Sequence, residues 1–150
     1  MLFRSILRDL PRDLRMGRCY LPREDLAALG LTPTDLLDPP SLARLRPLLV
    51  DLLRATLAHY DEGWAYTRAV PRREWRLRLA CAWPLLIGLQ TLDLVARAES
   101  LLEPGAVAKI SRGAIYGIVV RSAARLLSDA ALDAYYRTLR ARVRLAAGPA

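Results

Sequence analysis

The segment Ser5-Ile6-Leu7-Arg8-Asp9-Leu10-Pro11-Arg12-Asp13 carries the most informative pattern in the chain. Its two aspartates stand four residues apart, so on a helix they lie on one face, about 6 Å apart along the axis. Two carboxylates placed this way repel each other unless a cation lies between them. Mg²⁺ takes one or two protein carboxylates and completes its shell with water and phosphate oxygens. The spacing therefore predicts a magnesium site that can hold a diphosphate, with Arg8 and Arg12 as charge-assisted donors.

The same spacing also fits an ordinary solvated helix. Aspartate pairs four residues apart are common on exposed helix faces, and Arg8, Arg12 and Arg15 would then be their surface ion-pair partners. Taken alone, D-x-x-x-D does not separate the two interpretations.

The surrounding sequence indicates a fully helical domain. Apolar residues make up 53% of the 150 residues and charged residues 25%, which is typical of a folded chain long enough to bury a core. Arg and Leu dominate, β-branched residues are sparse, and apolar positions recur every three or four residues. The sequence contains no strand-like alternation and no internal repeat. The predicted fold class is all-α.

Prolines and glycines divide the predicted helices. A first helix runs to about Met16, with a kink or fraying at Pro11, and ends at Gly17. Further helices are expected at 24–29, 33–37, 41–68, 73–98, 107–127 and 129–145, with Gly30 as a stop, Thr32 and Ser41 as caps, and Pro84 as a kink. Residues 1–145 would form one domain, and 146–150 a disordered tail.

Charge and cysteine usage limit the partners and the compartment. The net charge of +8 admits nucleic acid, an anionic membrane surface or a phosphorylated substrate. The arginines are dispersed over several helices without a known reading motif, which argues against nucleic acid. Cys19 and Cys81 have no metal-ligand spacing and indicate a reducing cytoplasm. The most apolar stretch, 79–89, is too short to span a bilayer, so we expect a cytoplasmic protein with at most a peripheral contact at the inner membrane surface.

Two segments together resemble squalene and phytoene synthases. One is the segment 5–13 together with the Gly17-Arg18-Cys19-Tyr20-Leu21-Pro22 that follows it. It is similar to that family's second aspartate-rich motif, which reads N-I-L-R-D-x-x-x-D and then G-R-x-Y-L-P. The run Arg78–Leu89 is similar to bacterial members of the family. The resemblance covers nearly all of this chain but only about the C-terminal half of the family domain.

The resemblance implies a partial isoprenoid-synthase fold, all-α with a central apolar cavity. It implies a transferase that condenses two prenyl diphosphates, farnesyl or geranylgeranyl, head to head through a cyclopropyl intermediate, with Mg²⁺ assisting diphosphate release. Asp9 and Asp13 match the family's metal ligands. Arg8, Arg18 and Tyr20 match residues at the diphosphate, which implies catalytic and substrate-binding roles for them.

Two departures from the family pattern matter. Ser5 stands where the family has asparagine, a further oxygen ligand for magnesium, and its shorter side chain is expected to weaken metal binding. The other departure is that the family's first aspartate-rich motif, which belongs to the half of the domain not covered here, is missing. No second acidic pair replaces it, because Asp61, Asp129 and Asp133 are interpreted as helix-surface or capping charges. We therefore expect a truncated product, a mis-called start or one piece of a split enzyme, which acts with a separate N-terminal half or as a homo-oligomer.

Other residues are given structural roles. His59 is expected to be a half-buried packing residue, and the three tryptophans are expected in the core. Three basic residues, Lys109, Arg112 and Arg121, recur near a helix start, where they could face phosphate. A basic residue of the family lies in this general region, without a firm match to any of them.

The function stays open on several points. A non-catalytic basic helical binding module is the second class considered. The third is a remnant or subunit that exposes apolar helix faces until a separate N-terminal half covers them. If the chain is a prenyl transferase, the first class considered, its product is the cyclopropyl intermediate, squalene or phytoene. Each of these is a carotenoid or hopanoid precursor. NADPH would be needed only if the reaction proceeds to squalene.

Overall fold

The structure, a computed structural model, describes the backbone of residues 2–103 and 108–148 and the side chains of residues 4–103 and 108–148. Within these ranges the chain forms helices and no strands, which confirms the all-α prediction. The helices are α1 (Leu2–Arg15), α2 (Arg23–Ala28), α3 (Ser41–Ala69), α4 (Trp75–Arg97), α5 (Arg112–Ala124) and α6 (Asp129–Ala147). Two 3₁₀ turns, Asp35–Leu37 and Arg72–Glu74, precede α3 and α4.

Helix α4 lies at the centre and packs against α1, α3, α5 and α6. Because neighbours surround it, its apolar side chains are buried around most of its circumference, and its sequence is nearly continuously apolar rather than striped. The stretch Arg72–Arg97 is longer than the predicted apolar run, and by length and composition alone it could cross a bilayer. Since 61% of its most apolar window is buried inside the molecule, packing in the core accounts for its composition.

Helices α3 and α6 run antiparallel. Asp61 on α3 bonds Tyr136 and Arg140 on α6, whereas Trp64, one turn later on α3, bonds Asp133, one turn earlier on α6. The stacked rings of Trp64 and Tyr136, whose centroids are 4.3 Å apart, fill the space between the two helices. This pairing places the N-terminal half of α3 beside the C-terminal half of α6.

Helix α1 packs one apolar face on α3 and α4. Leu7, Leu10 and Leu14 on that face are buried, and Leu36 of the first 3₁₀ turn packs beside them. The helix continues through Pro11 to Arg15, so the fraying predicted at the proline does not occur.

Gly30 ends a helix and Thr32 caps the start of the next turn, largely as predicted. Gly30, with φ +63°, ends α2, and Leu31 N–H donates to the carbonyl of Leu26 in a Schellman motif. Thr32 and Asp35 bond each other reciprocally as in a capping box, although the helix they begin is only a 3₁₀ turn.

The serines that cap helices in the structure differ from the serine predicted to do so. The prediction for Ser41 is wrong, because it lies inside the first turn of α3 and makes no capping bond. The capping serines are instead Ser111, which accepts from Ala114 N–H, and Ser128, which accepts from Ala131 N–H. Helix α5 thus begins five residues later than predicted, and part of the predicted start lies outside the described residues. Helix α6 continues to Ala147, into the predicted tail.

Two predicted packing residues are exposed instead. His59 lies on the solvent side of α3 with its side chain 60% exposed, near Glu62, so the half-buried role is wrong. Trp75 is 47% exposed and stacks under Arg76. Trp64 is buried as predicted, and Trp83 is half-buried and donates to Ser122.

Candidate functional site

Ser5, Asp9 and Asp13 form one strip along α1. Successive members are four residues apart, so they follow one another along the same side of the helix. All three side chains are half-buried, at the border between the face that packs on α3 and α4 and the solvent. The local structure therefore places the three predicted oxygen donors together, as the sequence spacing required.

Arg8 holds the Asp9 carboxylate in a two-bond ion pair. Its Nε and Nη2 donate to the two carboxylate oxygens, each at 2.8 Å. Mainly through this hydrogen-bonded pair, and with smaller help from the charges of Arg12 and Arg4, the pKa of Asp9 is lowered from its usual value. The same pair raises the pKa of Arg8. Asp9 is thus fixed in orientation, and the ion pair favours its ionised form.

Asp13 differs from Asp9 in its partners. Its carboxylate makes no hydrogen bond or ion pair with the part of the chain that the structure describes. Its backbone carbonyl accepts from Arg18 N–H at 2.8 Å, while Gly17, at φ +72°, donates to Leu14. This Schellman motif ends α1 and brings the start of the following loop to the Asp13 end of the strip.

Arg18 and Tyr20 lie on the loop that this motif begins. Both side chains are exposed, Tyr20 by 55%, and neither contacts Asp9 or Asp13 through a hydrogen bond among the described residues. Leu21, which is 4% exposed, anchors the loop in the core. The structure therefore brings the backbone of Arg18 to the strip, but it leaves both predicted diphosphate-binding side chains in solvent.

Arg4 is a neighbour of the strip that the sequence did not indicate. Its Nε is buried without a hydrogen-bond partner, and the hydroxyl of Tyr60, on α3, is also buried and unpartnered. The charge of Arg4 lowers the pKa of Asp9 and partly offsets the rise that burial causes in the pKa of Tyr60. No spacing rule links residues on α1 and α3, so only the packing of the two helices shows this relationship.

The strip has the composition of a magnesium site rather than of a transition-metal site. Among the described residues no group of three or more His, Cys, Asp or Glu side chains could hold a metal ion. Two carboxylates and a hydroxyl are hard oxygen donors, and Mg²⁺ usually takes only one or two protein carboxylates. A carboxylate has about four lone-pair positions, so Asp9 retains capacity for a cation beside its bond to Arg8. The residues present therefore fit Mg²⁺.

The remaining acidic residues named from the sequence have tertiary partners. Asp61 binds Arg140 and Tyr136, and Asp129 binds Arg72 and the buried Arg78. Asp133 also bonds across the α3–α6 interface. Asp61 and Asp129 are partly exposed, as expected of surface charges, but all three carboxylates also join helices, and Ser128 rather than Asp129 caps α6.

Three clefts are lined by described residues of α3, α4 and α6. They have volumes of about 550, 580 and 410 Å³, and none of the three includes Asp9 or Asp13. The central apolar cavity implied by the resemblance is not among these three clefts.

The sequence resembles a known family over most of its length. The squalene/phytoene synthase family model matches residues 4–114. Phytoene synthase from Arthrospira platensis is 35% identical over 98 residues, which are 63% of this chain and 30% of that protein. 15-cis-phytoene synthase from Enterobacter agglomerans is 30% identical over 95 residues, 63% of this chain and 32% of that protein.

A plant relative is similar to about the same share of this chain. Phytoene synthase 2, chloroplastic, from Zea mays is 30% identical over 95 residues, which are 61% of this chain and 22% of that protein. The chain spans less than a third of the length of these three relatives. No solved structure matches the chain significantly.

Proposed function

Because the chain belongs to the squalene/phytoene synthase family, we propose that it supplies the metal- and diphosphate-binding wall of a head-to-head prenyl transferase. The observation that carries the proposal is the strip of Ser5, Asp9 and Asp13, directly followed by the turn that brings Arg18 to its end. The matched segment is less than a third of the relatives' length. We therefore assign to it the binding of one metal–diphosphate group rather than the whole reaction.

Each residue of the strip has a distinct task in this proposal. Asp9 and Asp13 would hold Mg²⁺, with Ser5 as a weaker oxygen donor. Bound there, the ion supplies positive charge that stabilises a departing diphosphate. Arg8 orients Asp9 and lowers its pKa, which favours the ionised carboxylate that a cation needs.

The loop after α1 would contact the diphosphate itself. The side chains of Arg18 and Tyr20 are exposed and so remain available to phosphate oxygens. A guanidinium donates two parallel hydrogen bonds to a phosphate, and the tyrosine hydroxyl donates one. Electrostatic stabilisation of this kind works best where water is excluded. We therefore place the catalytic state in an assembly that covers the strip, formed with a separate N-terminal half or between copies of the chain.

The substrate and the remaining partners follow the family. We propose farnesyl or geranylgeranyl diphosphate as substrate, with NADPH required only if the reaction ends at squalene. A cytoplasmic enzyme in peripheral contact with the membrane surface suits such substrates, because their hydrocarbon tails partition into lipid.

Ligand-dependent stabilisation tests the metal–diphosphate assignment. We expect farnesyl thiodiphosphate to raise the midpoint of thermal unfolding only when Mg²⁺ is present, because a ligand that binds the folded state stabilises it. Asp13→Asn should remove the shift, whereas Asp25→Asn, which removes an exposed carboxylate on α2, should keep it. An equal shift in the wild type and in Asp13→Asn would refute the assignment.

One observation favours the second candidate, a non-catalytic subunit. Tyr116 and Val120 on α5 are 69% and 66% exposed, and a Cβ added at Gly113 or Gly117 would meet no atom within 4 Å. This apolar face is left uncovered by the described residues. If the chain were only a scaffold, a partner would bind at α5, and Mg²⁺ with diphosphate would have no effect on folding.

A further inference from the structure

A cleft of about 580 Å³ lies between α3 and α6, on helices that carry none of the proposed metal ligands. Arg54 and Leu57 line it from α3, and Arg140, Arg144 and Leu145 line it from α6. The antiparallel pairing of the two helices brings these residues together, because the N-terminal half of α3 runs beside the C-terminal half of α6. Its volume is within the range of about 300–1,000 Å³ typical of ligand sites.

The side chains that line the cleft include three guanidinium groups and no carboxylate. Arg140 bonds Asp61 through Nε and Nη2, which leaves its Nη1 group for another acceptor. Arg54 lines the cleft from α3 and pairs with Asp51, one turn earlier on the same helix. Arg144 makes no hydrogen bond or ion pair with any described residue. The cleft therefore has donors that an anion can engage.

Apolar groups form the rest of the cleft. Leu57 is 4% exposed and forms part of the core, whereas Leu145 is 79% exposed at the rim. Ala147 and Gly148 complete the lining. An exposed leucine beside the guanidinium groups of Arg140 and Arg144 is arranged to cover a hydrocarbon chain whose charged end lies at these arginines.

The end of α6 works against an anion, but weakly. A helix C-terminus carries the equivalent of about half a negative charge, and the cleft lies at the C-terminal end of α6. Arg140 and Arg144 each place a full positive charge on the lining of the cleft, and Arg144 pairs with no carboxylate of the described residues. The balance therefore still favours an anion.

We infer that this cleft binds an anionic amphiphile, a molecule with a phosphate head at Arg144 and Arg140 and a hydrocarbon tail against Leu57 and Leu145. The inference does not depend on the proposed function, because none of the lining residues is on α1, and α6 lies beyond the family-matched residues 4–114. Two sources share this chemistry, a free alkyl or prenyl phosphate and the headgroup region of a phospholipid.

Binding of dodecyl phosphate, kept below its micelle concentration and with EDTA present, tests the inference. We expect Leu57 and Leu145 methyl resonances to shift on titration, and Arg144→Ala to weaken binding about tenfold, which corresponds to about 1.4 kcal/mol. Arg142→Ala is the matched control, since Arg142 is exposed and lies about 200° around the same helix from Arg144. Leu145→Ser should also weaken binding, because it removes apolar surface at the rim.

Vesicles distinguish the two sources. Co-sedimentation with phosphatidylcholine vesicles containing phosphatidylglycerol, reduced by Arg144→Ala but not by Arg142→Ala, would identify a membrane headgroup. Loss of dodecyl phosphate binding in Arg144→Ala, with equal vesicle binding by both variants, would identify a free amphiphile. Equal weakening by both arginine variants in both assays, or equally tight binding of inorganic phosphate, would overturn the inference. Circular dichroism of each variant verifies that it is folded.

Discussion

The ring of Tyr60 on α3 lies directly against Gly88 on α4, with no room between them for a side chain. A Cβ at Gly88 would fall 2.8 Å from Cε1 of Tyr60 and closer still to its hydroxyl. Tyr60 is only 4% exposed, so its ring cannot move aside without repacking the core. The glycine thus sets the distance between the two longest helices.

Gly88→Ala should therefore destabilise the protein. Overpacking a core typically costs about 1–3 kcal/mol, and urea unfolding followed by circular dichroism measures the change. Gly117→Ala is the control, because a Cβ there meets no atom within 4 Å. It should stabilise α5 by about 1 kcal/mol, the difference in helix propensity between alanine and glycine. Equal stability of the two variants would contradict the close contact.

Tyr60→Phe should not reduce stability. The Tyr60 hydroxyl is buried without a hydrogen-bond partner, and an unsatisfied buried polar group costs about 1–3 kcal/mol. Its removal should raise the urea midpoint and should lessen the effect of Gly88→Ala in the double variant. A midpoint lowered by Tyr60→Phe would mean that the hydroxyl is bonded in solution.

Gly17→Ala should weaken the end of α1. Gly17 has φ +72°, a conformation that costs a residue with a Cβ about 1–2 kcal/mol. No atom lies within 4 Å of the added Cβ, so backbone strain is the whole effect. Hydrogen exchange of the Arg18 amide, which bonds the carbonyl of Asp13, should accelerate. Unchanged protection of that amide would show that the Schellman motif tolerates the substitution.

Arg8→Gln should raise the pKa of Asp9 towards its ordinary value of about 3.9. The ion pair with Arg8 is the main cause of the lowered pKa, and glutamine keeps a donor but not the charge. Carboxyl ¹³C titration of the wild type and the variant by NMR measures the change. An Asp9 pKa that stays low in the variant would place the cause in Arg4 and Arg12 instead.

Acid should destabilise the protein through Asp129 among other carboxylates. The hydrogen bonds from Arg72 and then Arg78 lower the pKa of Asp129. A carboxyl whose folded pKa is lowered contributes stability above its unfolded pKa, about 3.9, and loses it as the pH falls through the folded pKa. Asp129→Asn should therefore be less stable at pH 7 but lose less stability between pH 5 and pH 2. Parallel stability curves for the two proteins would contradict the assignment.

Asp61→Ala should cost more stability than Tyr136→Phe. Asp61 accepts from both Tyr136 and Arg140, and burial and the neighbouring carboxylate raise the pKa of Tyr136, so its hydroxyl remains a donor. Tyr136→Phe removes one hydrogen bond, worth about 1 kcal/mol, and leaves the ion pair intact. Asp61→Ala leaves two donors without their acceptor. Urea unfolding that ranks the variants in the reverse order would refute this account.

The local features of the chain followed from its sequence. Helix periodicity gave the all-α class, and Gly17 and Gly30 marked helix ends because a positive φ there favours a residue without a Cβ. The spacing of Ser5, Asp9 and Asp13 placed them on one strip, since residues four apart on a helix share a side. The motifs around them indicated the family, which the match to residues 4–114 confirms.

Only the tertiary structure decided which distant residues meet. The pairing of Asp61 with Arg140 and of Arg78 with Asp129 joins residues more than fifty positions apart, and no local rule selects one arginine among so many. The arginine-lined cleft exists because α3 and α6 pack antiparallel, and Gly88 matters because α4 is enclosed by its neighbours. Helix formation depends on contacts within one or two turns, which a sequence records directly. The relative placement of helices depends on how buried side chains fit together, and it emerges only when they pack.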